Sequence, residues 1–330
     1  MKFVLSLFAV CFLFLAIGAG VVSYGYTVYS AAGPLKQPVH VTVPKGTGVS
    51  SITSLLEENG VIDNPLLFKV ATRLTDKHAS LKAGEYEFLP RASMSEVLSK
   101  LEQGDIILRQ VTIPEGLTSF EIMRLLKNDK GLKQDYEGVP EEGSLLPNTY
   151  AYQKGDGTAF IIEQMQDAMK TTLDKAWDAR VNDLPFDSKE EAIIMASIIE
   201  KETGVSGERG DVAGVFTNRL RKGMPLQTDP TVIYAITGGK HKNDGKGPLG
   251  RRLLRKDMSI DSAYNTYKYP GLPKGPICNP GKASIEAALN PASNDYIYFV
   301  ADGSGGHIFA KTLAEHNKNV AQWRKIRRSQ

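Results

Sequence analysis

Two glutamates close the helical stretch Ser188-Lys-Glu-Glu-Ala-Ile-Ile-Met-Ala-Ser-Ile-Ile-Glu-Lys-Glu-Thr203, and they are the residues best placed to handle a proton. Ser188 with Glu191 reads as a capping-box start, and Gly204 as a stop. Stepping about 100° per residue from Ile194 puts Ile198, Met195 and Ile199 at about 40°, 100° and 140°, an apolar stripe with Glu202 at about 80°. Glu200 falls at about 240°, on the far side with Ala196. A carboxylate on an apolar stripe must be paired, sit at a cleft edge or have a raised pKa. The last property suits a general acid working near neutral pH. The competing reading is a glutamate at a helix end that emerges into water or pairs with Arg209 or Arg219.

Polar loops come next along the chain. Gln227, Thr228 and Asp229 lie in Gly223-Met-Pro-Leu-Gln-Thr-Asp-Pro230, bracketed by prolines, where they offer hydrogen bonds to a polar ligand. Tyr264, Asn265 and Thr266 open a second such stretch, ending at Tyr267, and Gly271 to Gly281 forms a third. Tyrosines beside amides suit sugar rings, whose faces are apolar and whose rims carry hydroxyls. These six residues are the candidate substrate contacts, although each stretch taken singly fits a turn or a packed aromatic equally well. No His-Glu-x-x-His and no phosphate-binding Gly-x4-Gly-Lys-Ser/Thr occurs. Two cysteines, Cys11 and Cys278, are too few for a disulfide scaffold or a cysteine zinc site. Neither metal nor cofactor is expected.

The motifs Ala196–Thr203, Glu208-Arg209, Val215–Leu220 and Leu226–Tyr234 resemble those of the endolytic murein transglycosylase family. Tyr264–Tyr267, Gly271-Leu272-Pro273, Asn279-Pro280-Gly281 and Tyr298–Gly303 continue that resemblance in order. It runs from the apolar N-terminus to nearly the last residue. It implies a bacterial inner-membrane enzyme that cuts nascent peptidoglycan strands internally and so limits their length. It also implies that Glu202, the glutamate followed by threonine, is catalytic. In such an enzyme one carboxyl protonates the oxygen linking N-acetylmuramic acid to N-acetylglucosamine. It then takes the proton of the muramic C6 hydroxyl as that oxygen attacks C1, leaving a 1,6-anhydro end. Asn148 departs from the pattern, standing where aspartate is usual, and has no acid role. The alternatives are a hydrolytic muramidase with Asp229 as second carboxylate, or a non-catalytic glycan-binding protein of wall assembly. Anhydro ends, reducing ends or no new ends separate the three.

These groups need elements to hold them. The chain has 330 residues, 42% apolar and 23% charged, which fits two domains of roughly 100–200 residues each. Its 40 basic and 37 acidic residues give only +3, against a nucleic-acid partner. Phe3 to Val22 carries no charge, with Lys2 before it and no basic residue until Lys36. A run of about 20 residues spans a bilayer, whereas a cleaved signal's apolar region is about 7–15. The expectation is a single-pass protein: a cytoplasmic tip at 1–2, an anchor at 3–23, a linker at 24–38 and an extracytoplasmic bulk. Small residues at Ala16-Ile17-Gly18 and Ala31-Ala32-Gly33 leave a cleaved signal as the alternative.

The expected fold class is α+β throughout. Val41-Thr-Val-Pro-Lys-Gly46 and Val111-Thr-Ile-Pro-Glu-Gly116 each read as strand and turn before an amphipathic helix. Residues 39–143 resemble a small LysM-type module, either gripping glycan or merely positioning the next domain. Residues 144–330 form the mixed catalytic domain, with helices at 158–177, 188–203 and 210–221, a strand at 296–300 and a closing helix at 313–328. Expected partners are glycan strands and, beside the membrane, the peptidoglycan synthases.

Overall fold

The computed structural model describes residues 2–75, 81–243 and 246–329. Packing divides the chain into two compact units, Met1–Arg109 with Ala151–Lys154, and Gln110–Tyr150 with Gly155–Gln330. In packing terms the 39–143 stretch is therefore shared between the units. Met1 of the expected tip, and residues 76–80 of the expected module, lie outside the described residues.

In the first unit, α1 (Lys2–Ser30) contains one segment long and apolar enough to cross a membrane, Val10–Ser30, with none of its residues buried. By length and composition it fits an anchor or a signal sequence. The helix also takes in Tyr24–Ser30, where the sequence suggested a linker. Strand β1 (Val39–Val43), helices α2 (Val49–Glu58) and α3 (Pro65–Leu74), strand β2 (Gly84–Phe88) and helix α4 (Met94–Gln103) come after it. The strands pair antiparallel, Val41 opposite Tyr86 and Val39 opposite Phe88. Alternation along β1 buries Val41 and Val43, and Ile52 and Leu56, four apart on α2, join Phe68, Leu98 and Leu101 in one core. Asn64 caps α3 through Leu67 N–H, with Pro65 at the first turn where its missing N–H is harmless. Ser93 and Glu96 form a capping box at the start of α4, and Gly104 ends it in the left-handed region.

One charge sits inside this unit. The Glu85 side chain is only 4% exposed and is gripped by Arg109 at 2.9 Å and Lys154 at 3.4 Å. Burial alone would raise its pKa, but the two cations outweigh that and hold the carboxyl below its ordinary range. The pair with Lys154 ties the Ala151–Lys154 segment to β2.

The second unit is built around a buried helix. Strand β3 (Arg109–Thr112), helix α5 (Ser119–Asn128) and strand β4 (Thr149–Tyr152) come first, with β3 beside β4. Then come α6 (Thr158–Asp178), α7 (Lys189–Glu202), a short 3-10 helix (Ser206–Glu208), α8 (Arg209–Arg221) and α9 (Asp229–Thr237). A second 3-10 turn (Arg255–Ser259), α10 (Lys282–Leu289), the hairpin strands β5 (Tyr298–Ala301) and β6 (His307–Ala310), and α11 (Leu313–Ser329) complete it. Every residue of α7 from Ala192 to Ile199 is buried, against Val212, Ala213 and Phe216 of α8 and Ile285, Ala288 and Leu289 of α10. A helix buried all round has no solvent side. The far face expected for Ala196 and Glu200 is therefore core, a correction to the stripe read from the sequence.

Close backbone approach explains one glycine. A methyl group on Gly214 of α8 would lie 2.7 Å from the Ala292 carbonyl oxygen. The loop it would strike is bonded to α8 by Asn218 Nδ2, which donates to the Asn294 and Tyr296 carbonyls at 2.8 and 3.0 Å. Residues 110–150 belong to this unit's interior as well. Buried Asn279 donates to Glu142 at 3.0 Å and accepts from Leu145 N–H at 2.9 Å, while Glu142 also accepts from Ser119 N–H at 2.8 Å.

Candidate active site

The last three residues of α7 reach in three directions. Glu200 accepts from Gly281 N–H at 2.9 Å and lies 3.7 Å from Arg209. Lys201 donates to the Gly116 carbonyl at 3.1 Å. Glu202, half-buried, accepts a hydrogen bond from the Thr228 hydroxyl. Thr203 then leaves the helix in extended conformation, and its hydroxyl accepts Val205 N–H at 3.0 Å, fixing the exit turn. Ser188 and Glu191 form the expected capping box at the other end. Both ends of the helix are thereby pinned.

The loop bearing Thr228 is held by a relay of threonines. Thr228 N–H donates to Thr266 Oγ1 at 3.1 Å, Thr266 and Thr231 hydroxyls lie 2.8 Å apart, and Thr231 donates back to the Thr228 carbonyl at 2.7 Å. Gln227 takes a positive φ of 55°, and its N–H donates to the Thr266 carbonyl at 3.1 Å. This aims Thr228 inward and leaves the Gln227 and Asp229 side chains exposed on either side. Asp229 accepts from the Tyr267 hydroxyl at 2.6 Å.

Charge around Glu202 is unevenly set. Burial pushes its carboxyl above the ordinary range, and the negative Asp229 adds to that. The Thr228 hydrogen bond, with smaller contributions from His307 and Arg219, pulls the other way without reversing it. Arg219 is itself buried, donating through Nε to the Ile297 carbonyl at 2.7 Å and through Nη1 to the Leu226 carbonyl at 2.7 Å. It braces both the Thr228 loop and the approach to β5. His307, opening β6, is bonded to Glu208 at 2.8 Å. Such a site favours the protonated form of the Glu202 carboxyl more than water does.

The structure brings Glu202, Thr228 and Asp229 together, with Gln227 beside them. Thr266 is buried, and its hydroxyl is engaged in the threonine relay. Asn265 is buried too, its amide donating to the Met258 and Ile260 carbonyls at 2.9 and 2.8 Å. Tyr264 packs its ring 4.8 Å from Tyr234 at the edge of the core. Neither arginine suggested as a partner pairs with Glu202: Arg209 serves Glu200 and Glu115, and Arg219 serves carbonyls. Tyr267 and His307 were not among the six candidate substrate contacts read from the sequence. Tyr267 stood in the same motif as Asn265, whereas nothing local in the sequence ties His307 to Glu208, 99 residues away.

The model of the YceG-like family matches residues 41–322. An endolytic murein transglycosylase of Bacillus subtilis is 34% identical over 320 residues, covering 86% of this chain and 84% of that protein. One from Streptococcus pneumoniae is 29% identical over 341 residues, and there the match spans 58% of the relative's length. The crystal structure of a YceG-like protein from Listeria monocytogenes, 34% identical, covers 86% of this chain and 99% of its own with a TM-score of 0.51. Extended likeness in sequence and fold, containing the Glu202 helix and its loop, places this chain in the YceG-like family.

Proposed function

We propose that the chain is an endolytic lytic transglycosylase. It cuts the bond from N-acetylmuramic acid to N-acetylglucosamine within nascent glycan strands and leaves a 1,6-anhydro end. The observation that carries this reading is the half-buried Glu202 carboxyl, its pKa raised by burial, bonded to Thr228 and flanked by exposed polar side chains. A protonated Glu202 donates to the bridging oxygen, and the resulting carboxylate takes the C6 hydroxyl proton as that oxygen closes on C1. Attack from within the same sugar carries a high effective molarity. Gln227 and Asp229 meet the sugar rims, with Tyr267 orienting Asp229. Thr266, Asn265 and Tyr264 act behind them by holding the loops.

The setting comes from α1. The helix anchors the protein in the inner membrane with its N-terminus in the cytoplasm and the rest in the periplasm, near the synthases that supply its substrate. The first unit, a small α+β body, grips glycan in the manner of a LysM module. Mass spectrometry of glycan strands digested by the full chain in detergent tests the reaction. Anhydro ends are expected. Reducing ends would favour a hydrolase using Asp229, and no new ends would favour a binding protein.

A further inference from the structure

Residues 240–274 carry nine lysines and arginines against three aspartates, a net charge of +6 in a chain whose total is +3. The basic excess is therefore local. Its centre is Arg251-Arg-Leu-Leu-Arg-Lys256, which runs into the second 3-10 turn. Buried Asp257 shapes this stretch, accepting Leu254 N–H at 2.8 Å and two bonds from the Arg251 guanidinium at 2.7 and 3.0 Å. Asp261 is taken by Lys268 at 2.9 Å and by the Tyr269 hydroxyl at 2.6 Å. With Asp257 and Asp261 so committed, Arg252, Arg255, Lys256 and Lys274 stand exposed, with no salt bridge among the described residues. This basic ledge is built onto the frame of the candidate site. Asn265 ties down the turn through the Met258 and Ile260 carbonyls, and Lys274 N–H donates to the Ala263 carbonyl at 3.1 Å. Thr266, next to Asn265, holds the Thr228 that is bonded to Glu202. Thr228, Thr266 and Asn265 thus connect Glu202 to the ledge.

We propose that Arg252, Arg255 and Lys256, with Lys274, bind the carboxylates of the stem peptides carried by the glycan strand. This rests on the chain cutting murein strands, as proposed above. Where a peptide is attached, the lactyl carboxyl of muramic acid is tied up in an amide, so the sugars there are neutral and offer the cations nothing to pair with. The anionic groups of such a strand lie on its peptides. A guanidinium takes a carboxylate in two parallel hydrogen bonds, which suits Arg252 and Arg255. Uncompensated cations beside a site also draw in an oppositely charged substrate. The ledge touches the peptide and not the bond being broken, so it acts on substrate capture.

The test compares kcat and KM for anhydro-end formation by the full chain in neutral detergent. One substrate is peptide-bearing strands with free carboxylates, the other the same strands with those carboxylates capped as amides by carbodiimide and glycinamide. Wild type should show the lower KM on the free carboxylates, and added salt should erode that advantage. The triple variant Arg252→Gln, Arg255→Gln, Lys256→Gln should lose it, KM on the free carboxylates rising roughly tenfold, since one exposed pair is worth at most about fivefold. The change should fall in KM rather than kcat. Arg255→Glu should act in the same direction and carries the test should the triple variant not fold. A wild type without the preference, or a folded variant that keeps it, would overturn the inference. So would an equal defect on peptide-free strands, which would move the contact to the lactyl carboxylate, or a defect confined to vesicles of anionic lipid, which would assign the ledge to a membrane surface. Anhydro ends from neither substrate with wild type would overturn the proposed function itself, and this inference with it.

Discussion

Glu202 is a group that folding disfavours in its charged form. Its pKa is raised by burial and by Asp229, so the folded state binds its proton more tightly than the unfolded chain does. By linkage, the contribution of this group is fully present below the unfolded carboxyl pKa, about 4.3, and is lost as pH rises through the higher folded value. Glu202→Gln should therefore melt at a higher temperature than wild type at pH 8, with the gap closing below about pH 4. On the proposed mechanism one carboxyl serves both proton transfers, so the same variant should lose at least the 10²–10⁴-fold that general acid–base groups typically supply. Cleavage assays and thermal melts across pH check the two halves together. The sequence singled out Glu202 by its apolar stripe and its motif, and the structure places it half-buried against Thr228. Asn265 was read as a sugar contact from an amide beside tyrosines, whereas in the structure its Nδ2 donates to the Met258 and Ile260 carbonyls. Long-range bonds such as Glu208 to His307 leave no periodic trace and could not be read.

Elements were legible where local chemistry decides them. The capping boxes at Ser93 and Ser188 formed as their spacing requires, and the two Pro-x-Gly turns each precede a helix, with Gly46 and Gly116 at φ of 80° and 75°. The character of α7 was not legible, because a helix wrapped by α8 and α10 draws its burial from partners distant in sequence. The α8 packing gives one prediction. Gly214→Ala gains roughly 1 kcal/mol of helix propensity but drives a methyl group into the Ala292 carbonyl, an overpacking worth about 1–3 kcal/mol. A net destabilisation of about 1 kcal/mol is expected in urea unfolding. In the first unit, Glu85→Gln should destabilise by roughly 1–2 kcal/mol at pH 7, since Arg109 and Lys154 lose their counter-charge. Glu85 has a lowered folded pKa, so its contribution is present above the unfolded pKa and lost as pH falls through the folded value. The gap between variant and wild type should accordingly shrink in acid.

The two units do not divide where the sequence drew the line at residue 143. A fragment beginning at Ser144 lacks Ser119 and Glu142, which bond Asn279, and the buried Ile122 and Leu126. It should stay unfolded by circular dichroism, whereas a fragment beginning at Gln110 keeps these groups and should melt cooperatively. A folded Ser144–Gln330 fragment would mean that residues 110–143 are dispensable to the second unit. The boundary was hidden because the strand–turn–helix echo suggested one module where packing assigns its copies to different bodies. The small return of the chain, Ala151–Lys154 to the first unit, has a further consequence for how the protein is made. Chains emerge N-terminus first and domains fold as they become available. When residue 109 has emerged, the first unit still lacks its Ala151–Lys154 segment, and Lys154 has yet to reach Glu85. Its completion waits for the second unit to be partly synthesised, so the order of birth along the chain is not the order in which the two bodies can finish folding.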